Sequence, residues 1–168
     1  MSPELATALE GALDEVEADP GCAAVVLTGT GSVFCSGADL KVVARGDGER
    51  IMTKRGGFGG VVQRRFPKPV IAAVNGAAVA GGFELALACD LVVAAEDAVF
   101  GLPEVSRGLL AAAGGPIRLA KRVPLAIALE IAMTGDPVSA ERAFQLGLVN
   151  RLVPAGQVVD EAVGLAER

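Results

Sequence analysis

Histidine is absent from this chain, as are tryptophan and tyrosine, and phenylalanine occurs only six times. Without histidine there is no Ser-His-Asp triad, no Cys-His pair and no ordinary zinc-hydrolase site. An acid or base working at neutral pH must then be a carboxylate, a shifted lysine or a cysteine. Cysteine is scarce too: Cys22, Cys35 and Cys89 lie far apart and make no CxxC pattern, which argues against a thiol metal site or a dithiol redox pair. Basic charge is also short. Fifteen Lys and Arg stand against 20 Asp and Glu, for a net charge of −5 and a pI near 4.8. Apart from short groups such as Arg64-Arg65 and Lys121-Arg122 the cations are scattered, so no basic face is expected for nucleic acid. No apolar run is long enough to span a bilayer, so a membrane is not expected as a partner. The opening residues do not read as a cleavable leader, and the cytoplasm is the expected location.

What the chain does have is apolar bulk. Hydrophobic residues make up 52% of its 168 positions, and the mean hydropathy is +0.50. That is enough for one domain over 1–168 with a real core. Leu5, Leu9, Leu13 and Val16 recur at helical spacing, with Ser2 as N-cap, Pro3 at the first helical position and "DPG" as the stop. "AAVVLTG", "KPVIAAVNG", "LVVAAED" and "AVFGL" read as short buried strands. From Gly114 the pattern turns helical, through "GPIRLAKRV", "PLAIALEIAMTG", "SAERAFQLGLV" with Ser139 as N-cap, and "GQVVDEAVGLAER". "TGSVFCSGADLKVVAR" reads as a glycine-punctuated loop entering a helical turn. "GDGERIMTKRGGFGG" reads as a mobile surface excursion and the least ordered part. Strands alternating with helices imply a mostly parallel sheet covered by helices, an α/β fold.

Three stretches carry possible chemistry. Gly29 and Gly31 give G-x-G after a strand, but position 34 is Phe and no Lys-Ser/Thr pair follows, which disfavours a dinucleotide or phosphate loop. "SGADL" sets Gly, Ala and Asp at a strand-to-helix junction that either exposes a backbone N–H to a ligand or simply caps a helix. "AVAGGFELALACD" sets Glu84 in a helical first turn behind two glycines. There it either complements the helix dipole or stands beside N–H groups facing a ligand oxygen. Glu104 in "FGLPEVSRGLL" follows a strand and a proline, at a position suited to a pocket rim or to a helix start. Two acids and two N–H donors, with no histidine, suit addition or removal of water beside a polarised carbonyl.

"IAAVNGAAVAGGFELALACDL" and "VFCSGADLK" together resemble the crotonase superfamily, the enoyl-CoA hydratase/isomerase family. The likeness runs from the opening helix to "TGDPVSAERAFQLGLVNRLVP". It implies a crotonase-like α/β spiral of ββα units, with N- and C-terminal parts of the usual family chain missing. By position, Ala38 and Gly81 fall where the family donates two N–H groups to a thioester oxygen. Ser36, Ala38, Asp39, Leu40 and Lys41 fall in the loop that holds coenzyme A, and Glu84 and Glu104 where hydratases carry two catalytic glutamates. Ala112, in "LLAAAGG", replaces part of a Pro-Gly loop common near the water site, so substrate choice is expected to differ. The resemblance implies reversible hydration of a 2-enoyl-CoA to a 3-hydroxyacyl-CoA. No metal or cofactor is implied beyond coenzyme A as part of the substrate. It also implies a homo-oligomer, a trimer or a dimer of trimers. Two other readings stand beside this one: an enoyl-CoA isomerase or other acyl-CoA crotonase, and an acyl-CoA-binding protein without turnover.

Overall fold

A computed structural model describes residues 1–168. Helix α1 (Pro3–Ala18) starts as its sequence requires, with Ser2 Oγ accepting the Leu5 N–H at 3.2 Å and Pro3 in the first turn. It ends at Asp19, where Lys68 Nζ donates to the carbonyls of Val16 and Asp19. Strands β1 (Val25–Thr28) and β2 (Val33–Cys35) follow, then α2 (Leu40–Ala44). A short hairpin, β3 (Met52–Thr53) and β4 (Gly57–Phe58), precedes β5 (Val70–Val74), β6 (Ala77–Val79) and α3 (Gly81–Ala88). Next come β7 (Leu91–Ala95), β8 (Val99–Gly101) and a 3-10 turn, Pro103–Arg107. Helices α4 (Gly115–Arg122) and α5 (Leu125–Thr134) lead to β9 (Val138–Ser139) and α6 (Ala140–Gln145). Strand β10 (Arg151–Val153) and α7 (Val158–Ala166) close the chain.

Apart from the β3-β4 hairpin, the strands sort into two four-stranded sheets. One has the order β1-β5-β7-β10 and is parallel throughout, with Val26 opposite Ile71 and Ala72 opposite Val92. The other has the order β2-β6-β8-β9, parallel except for β9. Each long strand of the first sheet is therefore followed by a short strand of the second, β1 by β2, β5 by β6 and β7 by β8. This is the expected spiral of ββα units. Residues 70–74 of β5 are all buried, the pattern of a strand covered on both faces. Ile71, Val74, Phe83, Val93 and Phe100 belong to one continuous buried cluster. The Phe83 and Phe100 rings lie 5.4 Å apart within it. No helix is long and apolar enough to cross a membrane.

Two expectations need correction. The three-residue strand β2 lies in a stretch expected to be a loop, and β6 was not expected at all, because Val33–Cys35 and Ala77–Val79 sit among glycines and small residues. The segment "GDGERIMTKRGGFGG" is not a mobile excursion. Ile51 and Phe58 in it are almost fully buried, and Gly56, Gly57, Gly59 and Gly60 pack tightly: a Cβ on Gly56 would stand 1.9 Å from the Gly60 carbonyl. The segment is fastened to α1, with Thr53 Oγ1 and the Gly56 N–H both donating to Glu10 Oε1 and Arg55 paired with Asp14 and Glu17. Close backbone approach, not looseness, is why glycine recurs there.

Candidate active site

The site begins where β6 turns into α3. Ala80 has φ 53° and ψ −130° and is the one non-glycine residue with positive φ, a strained state for an L residue. Its carbonyl accepts the N–H groups of Phe83 and Glu84 at 2.9 and 3.1 Å. The Gly81 N–H is one of the groups that a helix start leaves without an intrahelical acceptor. Both following glycines are required by packing. A Cβ on Gly81 would stand 2.5 Å from the Phe58 ring, and one on Gly82 would stand 1.8 Å from the Cys35 carbonyl. Gly37, with φ +92°, also packs against this turn: a Cβ there would lie 3.0 Å from Ala80 Cβ and 3.2 Å from Gly81 N. The loop after β2 thereby closes onto the start of α3. Ala38 lies one residue further on, and its N–H has no acceptor within the chain. Asp39 caps α2 by accepting the Lys41 N–H at 2.9 Å, so "SGADL" does cap a helix, beside an Ala38 N–H that has no partner.

Ser36, Ala38, Asp39, Leu40, Lys41, Gly81, Glu84, Glu104 and Ala112 all line one cleft of about 860 Å³. All nine residues singled out from the sequence are thus brought together. A separate cavity of about 250 Å³ beside Leu13, Arg64 and Phe66 contains none of them.

The two carboxylates occupy unequal environments. Glu84 is 3% exposed, and its Oε1 accepts the Gly115 N–H at 2.8 Å. Burial pushes its pKa above the usual carboxylate range. The Gly115 N–H opposes that, the negative charge of Glu104 adds to it, and the Ala113 N–H and Arg118 oppose it. Glu104 stands on the 3-10 turn after β8, and its Oε2 is buried with no hydrogen-bond partner. Burial raises its pKa as well, opposed only by its own backbone N–H. Donors around Glu84 favour its ionised form, whereas an oxygen with no donor favours the protonated form of Glu104. Such a pair can take a proton at one end and give one at the other. Spacing pointed to both acids but missed what holds Glu84: Gly115, Ala113 and Arg118, in "AGGPIR". The same signal used at Gly81-Gly82, paired glycines opening a helix, was present there.

The family profile described as enoyl-CoA hydratase/isomerase matches residues 1–168. The chain belongs to the enoyl-CoA hydratase/isomerase family. Within this family it is 43% identical over 152 residues to a carnitinyl-CoA dehydratase of Proteus mirabilis, an alignment covering 89% of this chain and 58% of that protein. An enoyl-CoA hydratase of Mycobacterium marinum superposes with a TM-score of 0.94 at 51% identity, over 99% of this chain and 65% of that one. A carnitinyl-CoA dehydratase of Mycobacterium avium gives 0.92 at 48% identity, over 99% and 66%. The family chain therefore has the crotonase fold and spans about three fifths to two thirds of the length of these relatives.

Proposed function

We propose that the cleft binds a 2-enoyl-CoA thioester and adds water reversibly across its Cα=Cβ bond, giving the 3-hydroxyacyl-CoA. The observation that carries this reading is the unequal pair of carboxylates facing one cleft, Glu84 supplied with N–H donors and Glu104 with none. The Ala38 and Gly81 N–H groups receive the thioester oxygen and stabilise the enolate charge that develops on it, each donor contributing about 3 kcal/mol. Glu84 takes a proton from water as the water oxygen bonds to Cβ. Glu104 delivers its proton to Cα, and the alkene electron pair becomes the Cα–H bond. The pair then resets by returning one proton from Glu84 to Glu104. Run backwards, the same steps remove water, which brings the dehydratase named among the relatives within the same chemistry.

Residues 36–41 hold the coenzyme A end, largely through backbone groups, and Ala112 helps shape the acyl pocket. No metal, flavin or nicotinamide takes part in these steps. A homo-oligomer, trimeric or a dimer of trimers, accords with the exposed apolar side chains Ile117, Leu125 and Met133 on α4 and α5. A cytoplasmic address accords with three unpaired cysteines. The test is the loss of conjugated enoyl-thioester absorbance when the purified chain meets a short 2-enoyl-CoA. Turnover to the 3-hydroxyacyl product is expected. Acyl-CoA binding without turnover would overturn the reading in favour of a binding protein.

A further inference from the structure

Glu84 is held by a loop that is itself held, and the holder, Arg118, is none of the residues that the sequence singled out. The Gly114–Gly115 peptide points both ways. Its carbonyl accepts the Arg118 N–H at 3.0 Å as the opening bond of α4, and its N–H is thereby turned toward Glu84 Oε1. The Arg118 side chain folds back over the same turn. Nη1 donates to the Ala113 carbonyl at 2.9 Å, and Nη2 donates to the carbonyl of Val62. Gly114 leaves room for this: a Cβ there would stand 2.3 Å from Nη1. Val62 is buried four residues after Phe58, the ring on which Gly81 packs. One planar guanidinium thus joins the loop behind Glu84 to the segment beneath Gly81. An ammonium lacks the two-pronged fork that serves both carbonyls together.

We propose that Arg118 is a positioning residue: by clamping Ala113 to Val62 it fixes the Gly115 N–H on Glu84 and, as a nearby cation, keeps Glu84 the water-activating carboxylate. The inference rests on the hydration reading for its kinetic part only. The charged groups facing Glu84 are Glu104, from the 3-10 turn, and Arg118, from α4, with Asp39, Lys41 and Arg107 around the cleft. Arg118 favours the ionised carboxylate and Glu104 opposes it.

The test uses Arg118→Met and Arg118→Lys, with two readouts. The first follows the Glu84 side-chain carboxyl by carbon NMR as pH changes, in a Glu104→Gln background so that one carboxyl titrates rather than a coupled pair. In Arg118→Met, which loses both clamp and charge, the midpoint is expected to move to higher pH, and in Arg118→Lys, which keeps the charge but not the fork, to move the same way by less. The second readout is hydration in the Glu104-containing enzyme. Both variants are expected to lose kcat, by about 10²-fold for Arg118→Met as the carboxylate loses its placement, with KM changed by less than about threefold. An unmoved Glu84 midpoint in Arg118→Met, or parent-level kcat in Arg118→Lys, overturns the proposal. If Arg118→Met does not fold, the kcat of Arg118→Lys decides. The titration needs no turnover, so failure of hydration in the parent leaves that arm decisive.

Discussion

Glu104→Gln is expected to cut hydration turnover by about 10²–10⁴-fold, the range for losing a positioned acid, while the protein becomes more thermally stable at neutral pH. The first half follows from the role proposed for a carboxyl whose Oε2 is buried without a partner: an amide of the same shape fills the space but has no acidic proton to give. Glu84→Gln should lose turnover similarly, because the amide oxygen can still accept the Gly115 N–H but cannot take a proton from water. The second half is a linkage effect. Burial raises the pKa of both carboxyls in the folded state, so the native chain holds these protons more tightly than the unfolded chain does. The stabilisation this brings is complete below the ordinary glutamate pKa, about 4.3, and is lost as pH rises through the raised folded values. At neutral pH the parent bears the cost of holding at Glu104 a proton that the unfolded chain releases, or of burying the charge once that proton is lost, and the neutral glutamine bears neither. Scanning calorimetry across pH checks the sign: the Tm advantage of Glu104→Gln should be present near neutrality and fade toward pH 4. A saturated acyl-CoA titrated into the variants should bind within a few-fold of the parent. A variant that lost both turnover and binding would place Glu104 in the frame of the cleft rather than in its chemistry.

Gly82→Ala is expected to damage both the fold and the site. The added methyl would stand 1.8 Å from the Cys35 carbonyl oxygen and 2.6 Å from its carbon, so backbone must part from backbone. Overpacking of this kind costs about 1–3 kcal/mol, and a contact with main chain rather than a flexible side chain belongs at the upper end. The same displacement separates Ala38 from Gly81, and turnover should fall by about 10²-fold or more if these two residues supply the proposed pair of N–H donors. Gly164→Ala provides the comparison. Gly164 lies in α7 with nothing within 4 Å of an added Cβ, so alanine there should stabilise the helix by about 0.5–1 kcal/mol and leave turnover unchanged. Chemical unfolding and the enoyl-thioester assay on both variants read the contrast directly.

The parts of this protein that were legible in its sequence are those governed by local rules. Ser2 and Pro3 announce α1, the β-branched run from Val25 announces β1, and the glycine pair before Phe83 places Glu84 in a helical first turn. The resemblance carried by "AGGFELALACD" then drew Ala38, Glu104 and the 36–41 loop into one site, which spacing alone could not do. What escaped was decided by tertiary approach. Gly56, Gly57, Gly59 and Gly60 looked like breakers in a loose loop, yet all four are buried against neighbouring chain. Alanine and glycine carry little periodicity, so β6 has no pattern to read even though it leads straight into the site. The partnership of Glu84 with Gly115 spans 31 positions, and no local propensity encodes it.

That reach in sequence has a kinetic meaning. Thr28 is bonded to Ala73 across 45 positions, and parallel pairing of β1 with β5 requires the whole intervening chain to be looped out and packed before the strands can meet. Closure of such loops must be met before any contact rewards it, and topologies of this kind fold slowly. The cleft therefore has no early version, because lining residues as far apart in sequence as Ser36, Glu84 and Ala112 come together only once both sheets are in place. A ligand that recognises that convergence binds the native state alone, and at a hundredfold excess over its Kd it adds about 2.7 kcal/mol to the stability of the fold. If the proposed thioester is that ligand, it acts on this chain as a folding ligand as well as a substrate, and the population of native molecules rises with its concentration.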